Sequence, residues 1–137
     1  MTYTEFKKKL KKLHNLQMKL MDERSLYKEF KKFLRENKIE ISYSIICLNL
    51  KKKFDNIKTE IQLYDDNITI KISDENNSEN FNLEDLYKNT DKKEELIKSL
   101  NDKFKIDDLI EKIDFFLTKT KFEKESLKNK FLKILGI

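Results

Sequence analysis

The chain has 137 residues, of which 40% are charged and 38% hydrophobic, with a formal net charge of +5. That length holds one proper core but not two, and fifteen isoleucines at regular spacing exclude a disordered chain. No run of about 18 apolar residues is present to form a membrane-spanning helix, and the lone Cys47 excludes an internal disulfide or a multi-cysteine zinc site.

The N-terminal segment MTYTEFKKKLKKL interleaves lysines with single apolar residues and lacks the apolar stretch of a secretory signal. A reduced, cytoplasmic setting without membrane attachment is expected. There is no Ala, Val, Pro or Trp, and 28 lysines stand against two arginines, Arg24 and Arg35. The favoured residues are those with A/T-rich codons. A nucleotide bias of that kind raises lysine in any protein, so the net charge alone is weak support for nucleic-acid binding.

In chain order, Thr2 to Glu5 (TYTE) forms a capping box that opens a helix. Apolar residues recur at Tyr3, Phe6, Leu10, Leu13, Leu16 and Leu20, then on a rotated face at Leu26, Tyr27, Phe30, Phe33 and Leu34. One nearly continuous helix to about Glu36 is expected, because residues 17–24 are mostly strong helix formers. The competing layout breaks at Asp22, with Asp22 as N-cap and Met21 stapled to Leu26.

Between residues 39 and 73 the apolar period falls from 3.6 to 2. Three strands form an antiparallel meander with turns at Asp55-Asn56 and Asp66-Asn67. The first turn sets Phe54 opposite Ile57, Leu50 opposite Ile61 and Leu48 opposite Leu63. The second sets Leu63 opposite Ile70 and Ile61 opposite Ile72. One face then carries Ile46, Leu48, Leu50, Phe54, Ile57, Ile61, Leu63, Ile68, Ile70 and Ile72. The opposite, solvent-facing side carries Asn49, Lys51, Lys53, Lys58, Glu60, Gln62 and Lys71. Ile41, Tyr43 and Ile45 are read as pointing away from the core face, with a bulge or late strand start at Ile45-Ile46.

Residues 74–82 (DENNSENFN) read as a polar loop, followed by short helices capped at Asn82 or Thr90. Apolar stripes run through Leu96, Leu100 and Phe104, then Leu109, Ile110, Ile113 and Leu117. A second capping box, Thr120 with Glu123, opens a last helix with Leu127, Phe131, Ile134 and Leu135, stopped at Gly136. The expected architecture is one α+β domain over 1–137. It has a long N-terminal helix, a three-stranded antiparallel meander, and three to four short C-terminal helices packed on one sheet face.

Catalytic signatures are missing from the sequence. One glycine cannot supply a phosphate-binding loop, and one histidine, His14, cannot supply a two-histidine metal site. Asp74, Asn76, Ser78, Asn80, Asn82 and Asp85 fall at calcium-loop spacing, but Glu79 occupies the position where that loop needs glycine. Cys47 reads as a structural thiol and His14 as a surface residue. No catalytic residue, metal site or cofactor is assigned.

Charge is uneven: residues 1–37 carry net +6, 38–73 net +1, 74–101 net −4 and 102–137 net +2. The expected function is binding of a macromolecular partner without catalysis. The partner is a protein or ribonucleoprotein, and the chain acts as an inhibitor, immunity protein or adaptor of the sort carried by phages and mobile elements. Contact is expected through the first helix or the exposed sheet face, using Lys8, Lys11, Lys12, Lys51, Lys53 and Lys58. Whichever of Tyr3, Tyr27, Tyr43, Tyr64 and Tyr87 are exposed would serve as anchors. The alternative is nucleic-acid binding through the same lysines.

Overall fold

The structure, a computed structural model, covers residues 1–137 and describes every side chain except those of Tyr43, Thr120, Phe122 and Glu123. The element order is α1 (Tyr3–Leu20), α2 (Arg24–Glu36), β1 (Ile39–Tyr43), β2 (Cys47–Phe54), β3 (Ile57–Tyr64), β4 (Asn67–Ser73) and β5 (Ser78–Asn82). Then follow α3 (Leu83–Lys88), α4 (Lys93–Lys103) and α5 (Ile106–Ile134). The strands form one antiparallel meander in the order β1-β2-β3-β4-β5.

Thr2 caps α1 as the sequence indicates, its Oγ1 accepting from the Glu5 amide at 3.2 Å. The expected continuous helix is corrected: α1 stops at Leu20 and α2 starts at Arg24. The residue at the N-cap is Glu23 rather than Asp22, with no side-chain cap, and Met21 is exposed rather than stapled. Packing overrides propensity here. The α1 stripe lies against α5, while Phe30 and Leu34 of α2 face β1 and α5, and one straight rod cannot present both stripes. Within α1 the buried line runs through Gln17, with Leu16 only half-buried beside it.

The sheet has five strands, not three. The first extra strand arises because the chain reverses at Ile45-Ile46. The Ser44 amide donates to the Cys47 carbonyl at 2.8 Å, and β1 folds back onto β2 with Ile41 opposite Leu50 and Tyr43 opposite Leu48. The reversal puts Ile39 and Ile41 on the same face as Leu48 and Leu50, correcting the reading that Ile41 points away from it, while the side chain of Tyr43 lies outside the described residues. It also leaves Ile45 and Ile46 at an exposed hairpin tip, so Ile46 is not a core residue. The second extra strand, β5, is SENFN. It pairs with β4 from Ser73↔Ser78 to Thr69↔Asn82, where a loop is expected.

The β2–β3 register is as expected: Leu48↔Leu63, Leu50↔Ile61 and Phe54↔Ile57. Between β3 and β4 the turn is Asp65-Asp66, both at positive φ (46° and 68°), as a two-residue turn of the type I′ class requires. The pairs are therefore Ile61↔Ile70 and Leu63↔Ile68, two residues away from the expected register. A slip of two preserves the faces. Leu48, Leu50, Ile61, Leu63, Ile68 and Ile70 are all buried under the helices, though Ile57 and Ile72 at the strand ends are exposed.

Asn82 caps α3 by accepting from the Asp85 amide at 3.1 Å. The expected last helix opening at Thr120 is corrected: α5 continues without a break to Ile134, and the side chains of the Thr120–Glu123 box lie outside the described residues. The first part of α5 contributes Ile106, Leu109, Ile110, Ile113 and Phe116 to the core. No helix is long and apolar enough to cross a membrane among the described residues.

Candidate functional site: a basic cleft and an unpartnered helix end

Alternation along the strands sends one row of side chains into the core and the next to the uncovered face. Cross-strand register then orders the uncovered face into bands. One band, Ser42, Asn49, Gln62, Thr69 and Asn82, is polar and uncharged. The next alternates in charge: Glu40, Lys51, Glu60, Lys71 and Asn80. Beyond it, Lys53 of β2 lies directly opposite Lys58 of β3, next to the β2–β3 turn.

A cleft of about 620 Å³ opens over this end of the sheet. Arg35, from the end of α2, and Lys38, in the link that follows, form one wall. The strands supply Lys51, Lys52 and Lys53 from β2, Lys58 from β3 and Lys71 from β4. Glu40 and Glu60 are the carboxylates of the lining. Among the described residues, no cation of the cleft comes within 4.0 Å of a carboxylate. Lys52 is the core-side member. Its Nζ donates to the Lys103 carbonyl at 3.1 Å and lies 5.6 Å from the Phe54 ring centre. Burial, reinforced by the charges of Lys105 and Lys38, holds its pKa below the usual lysine value.

The lysines of α1 have a different fate. Lys7 and Lys11 both bind Asp66, the former at 2.8 Å, and Lys9 binds Asp107 at 2.7 Å. Lys12 lies 3.9 Å from Asp114. Of the three α1 candidates, Lys8 is exposed with no ion pair among the described residues, while Lys11 and Lys12 face carboxylates of the fold itself. Lys51, Lys53 and Lys58 do come together, in the cleft. Sequence reasoning missed Arg35, Lys38, Lys52 and Lys71 as members. The strand alternation pointed to Lys71, but the placement of Arg35 and Lys38 depends on where α2 docks.

The other single residues have local roles. His14 Nε2 is 2.8 Å from the Ser44 carbonyl, which it reaches as donor, tying α1 to the β1–β2 turn. Cys47 is half-buried on the uncovered face, accepting from Gln62 Nε2 at 3.4 Å. Asp74 accepts from the Asn76 and Asn77 amides, which lowers its pKa, while Ser78, Asn80 and Asn82 of the calcium-like spacing lie along β5 and Asp85 lies in α3. No group of three or more His, Cys, Asp or Glu able to hold a metal is found among the described residues. Of the tyrosines, Tyr3 is buried, Tyr27 and Tyr87 are half-buried, and Tyr64 is half exposed on the uncovered face. Tyr43 lies outside the described residues.

A second surface was not anticipated. Past Leu117, α5 extends beyond the core, and Leu127 (66% exposed), Phe131 (58%), Ile134 (82%) and Leu135 (55%) lie exposed along it, followed by Ile137 (85%), with Leu127 bordering the α1–α2 corner at Asp22 to Leu26. The three- and four-residue steps put Leu127, Phe131 and Ile134 on one stripe, with Lys124 and Lys130 on its two sides. Lys124 also reaches Glu23 at the α1–α2 corner, at 2.7 Å. These residues read in the sequence as a core stripe because their periodicity is that of a buried helix face.

Compared with protein-family models, with curated proteins and with solved structures, the chain matches none.

Proposed function

We propose that this protein is a non-enzymatic binding module that acts by docking the C-terminal turns of α5 onto another protein. The observation that carries this reading is the apolar stripe Leu127, Phe131, Ile134 and Leu135, more than half exposed on a helix that has left its own core. Contiguous apolar surface of this kind marks an interaction site, whereas single exposed apolar residues do not. The mode is that of a helix laid in a groove, with anchors at i, i+4 and i+7.

The charge around the stripe selects the partner. Residues 119–134 contain six lysines and two glutamates. A second copy laid on this helix would bring lysines against lysines, so the partner is a different protein whose apolar groove has an acidic rim. An inhibitor, immunity protein or adaptor works in this manner, by occupying a surface. Binding in a reduced cytoplasm fits the single unpaired thiol.

The test is capture of partners from the source cells, with nuclease present, by the native chain and by Leu127→Ser with Phe131→Ser. A stoichiometric protein partner bound by the native chain should be lost by the double variant. Removing two anchors costs about 2–4 kcal/mol, roughly 30- to 900-fold in affinity. Equal recovery by both would refute the assignment, and a native chain that is itself a dimer would replace the partner with a second copy.

A further inference from the structure

The positive charge of this molecule is not spread as codon bias would spread it. The cleft at the β2–β3 end of the sheet holds seven cations and two carboxylates, a net of +5, which is the formal charge of the whole chain. The remaining residues contain twenty-three basic and twenty-three acidic groups and balance. Outside the cleft, α1 illustrates the balance, with Lys7, Lys9 and Lys11 each bound to an aspartate of another element. Inside it, Lys53 directly opposes Lys58 across the strands, a like-charge pair that works against folding. Uncompensated cations from four elements at one place are what an anion-binding surface requires.

We propose that the cleft binds the phosphate backbone of a nucleic acid, through charge and without reading bases. The composition of its lining favours phosphates over an acidic protein. Interface cores between proteins are enriched in aromatic residues, Met and Arg and depleted of Lys and Glu. This cleft is lined by six lysines and one arginine, with no aromatic side chain and with Ile39 as its apolar member. Lysine is a point charge that suits phosphates without geometric demand, whereas base recognition relies on bidentate arginine, asparagine or glutamine. The proposal is independent of the α5 surface and stands or falls without it.

The experiment is fluorescence anisotropy of a fluorescein-labelled, mixed-sequence single-stranded RNA with the full chain over a range of NaCl. For about five phosphates neutralised, the slope of log affinity against log salt should be about −3.5. Lys53→Gln with Lys58→Gln should weaken binding at least ~10-fold at low salt and bring the slope about 1.4 closer to zero. Arg35→Gln with Lys71→Gln, on two other elements, should do the same. Lys8→Gln with Lys12→Gln removes equal charge outside the cleft and should change affinity less than ~2-fold. Equal losses from cleft and α1 variants, or no salt-dependent binding, would overturn the proposal. So would displacement of the RNA by polyglutamate as readily as by unlabelled RNA, which would make the cleft an acidic-protein site.

Discussion

Gln17 is fully buried in the α1 core line, and neither its Oε1 nor its Nε2 has a hydrogen-bond partner among the described residues. An unpaired buried amide costs about 1–3 kcal/mol. Gln17→Met, which keeps length and removes both polar atoms, should therefore stabilise the chain by about 1–2 kcal/mol, a rise in Tm of about 4–8 °C. A fall in Tm would mean that the amide has a partner after folding in water. Asn101 is a milder case: its Nδ2 donates to Asp107 at 2.8 Å while its Oδ1 has no partner among the described residues. Lys53 and Lys58 bring a trade-off of the same scale. Their double glutamine variant should melt about 2 °C higher, from relief of about 0.5 kcal/mol of repulsion, while binding phosphate more weakly. Single residues were the least legible level in the sequence. The six-residue line through α1 reads equally well with Leu16 or Gln17 inward, and helical phase alone cannot choose between neighbours.

At the scale of elements, Asp66 joins α1 to the β3–β4 turn. Hydrogen bonds from Lys11 and Lys7 lower its pKa from 3.8 to about 2. A carboxylate depressed in the folded state stabilises that state above the unfolded pKa, and the contribution is lost as pH falls through the folded value. Asp66→Asn should thus lower Tm at neutral pH, with the gap to the native chain narrowing below pH 3.8 and closing near pH 2. Because the carboxylate is exposed, added salt should shrink the gap as well. A gap that persists unchanged at pH 2 would show that the ion pairs are not its origin.

Several elements were legible because burial leaves a period. The β2–β3 register followed from Asp55-Asn56 and the alternation around it, and both sheet faces survived the two-residue slip at β4. The misses have physical reasons. The β1–β2 turn is made of two isoleucines, without the Gly, Asn or Asp that announces a reversal. β5 is an exposed edge strand, so no apolar alternation marks it. Thr120 and Glu123 have the spacing of a helix start but fall inside a helix of 29 residues. At 1.5 Å per residue its turns beyond Phe116 span about 27 Å, well past the core. Deleting residues 126–137 removes no buried side chain, so Tm should fall by less than about 2 °C. A larger loss would place the stripe in the fold rather than on its surface.

For the whole molecule, one face of the sheet is spent on the core and the other is left open, and outside one cleft the basic and acidic residues are equal in total. The sequence showed the α+β class, the antiparallel meander and three of the cleft lysines. It did not show the cleft, because Arg35 and Lys38 join Lys53 and Lys58 only after α2 has broken from α1 and packed on β1. Nor did it show the α5 surface, since exposed and buried apolar stripes have the same period. Only the count of surfaces available to cover a stripe distinguishes them, and that count needs the fold.

Docking through α5 is the central functional claim for this protein. The most direct measurement is photo-crosslinking in the source cells from benzoylphenylalanine placed at Phe131, with the same probe at Lys8 as reference. A docking α5 should give one dominant adduct with a different protein from position 131 and none of that mass from position 8. No adduct at position 131, or the same adducts from both positions, would contradict it.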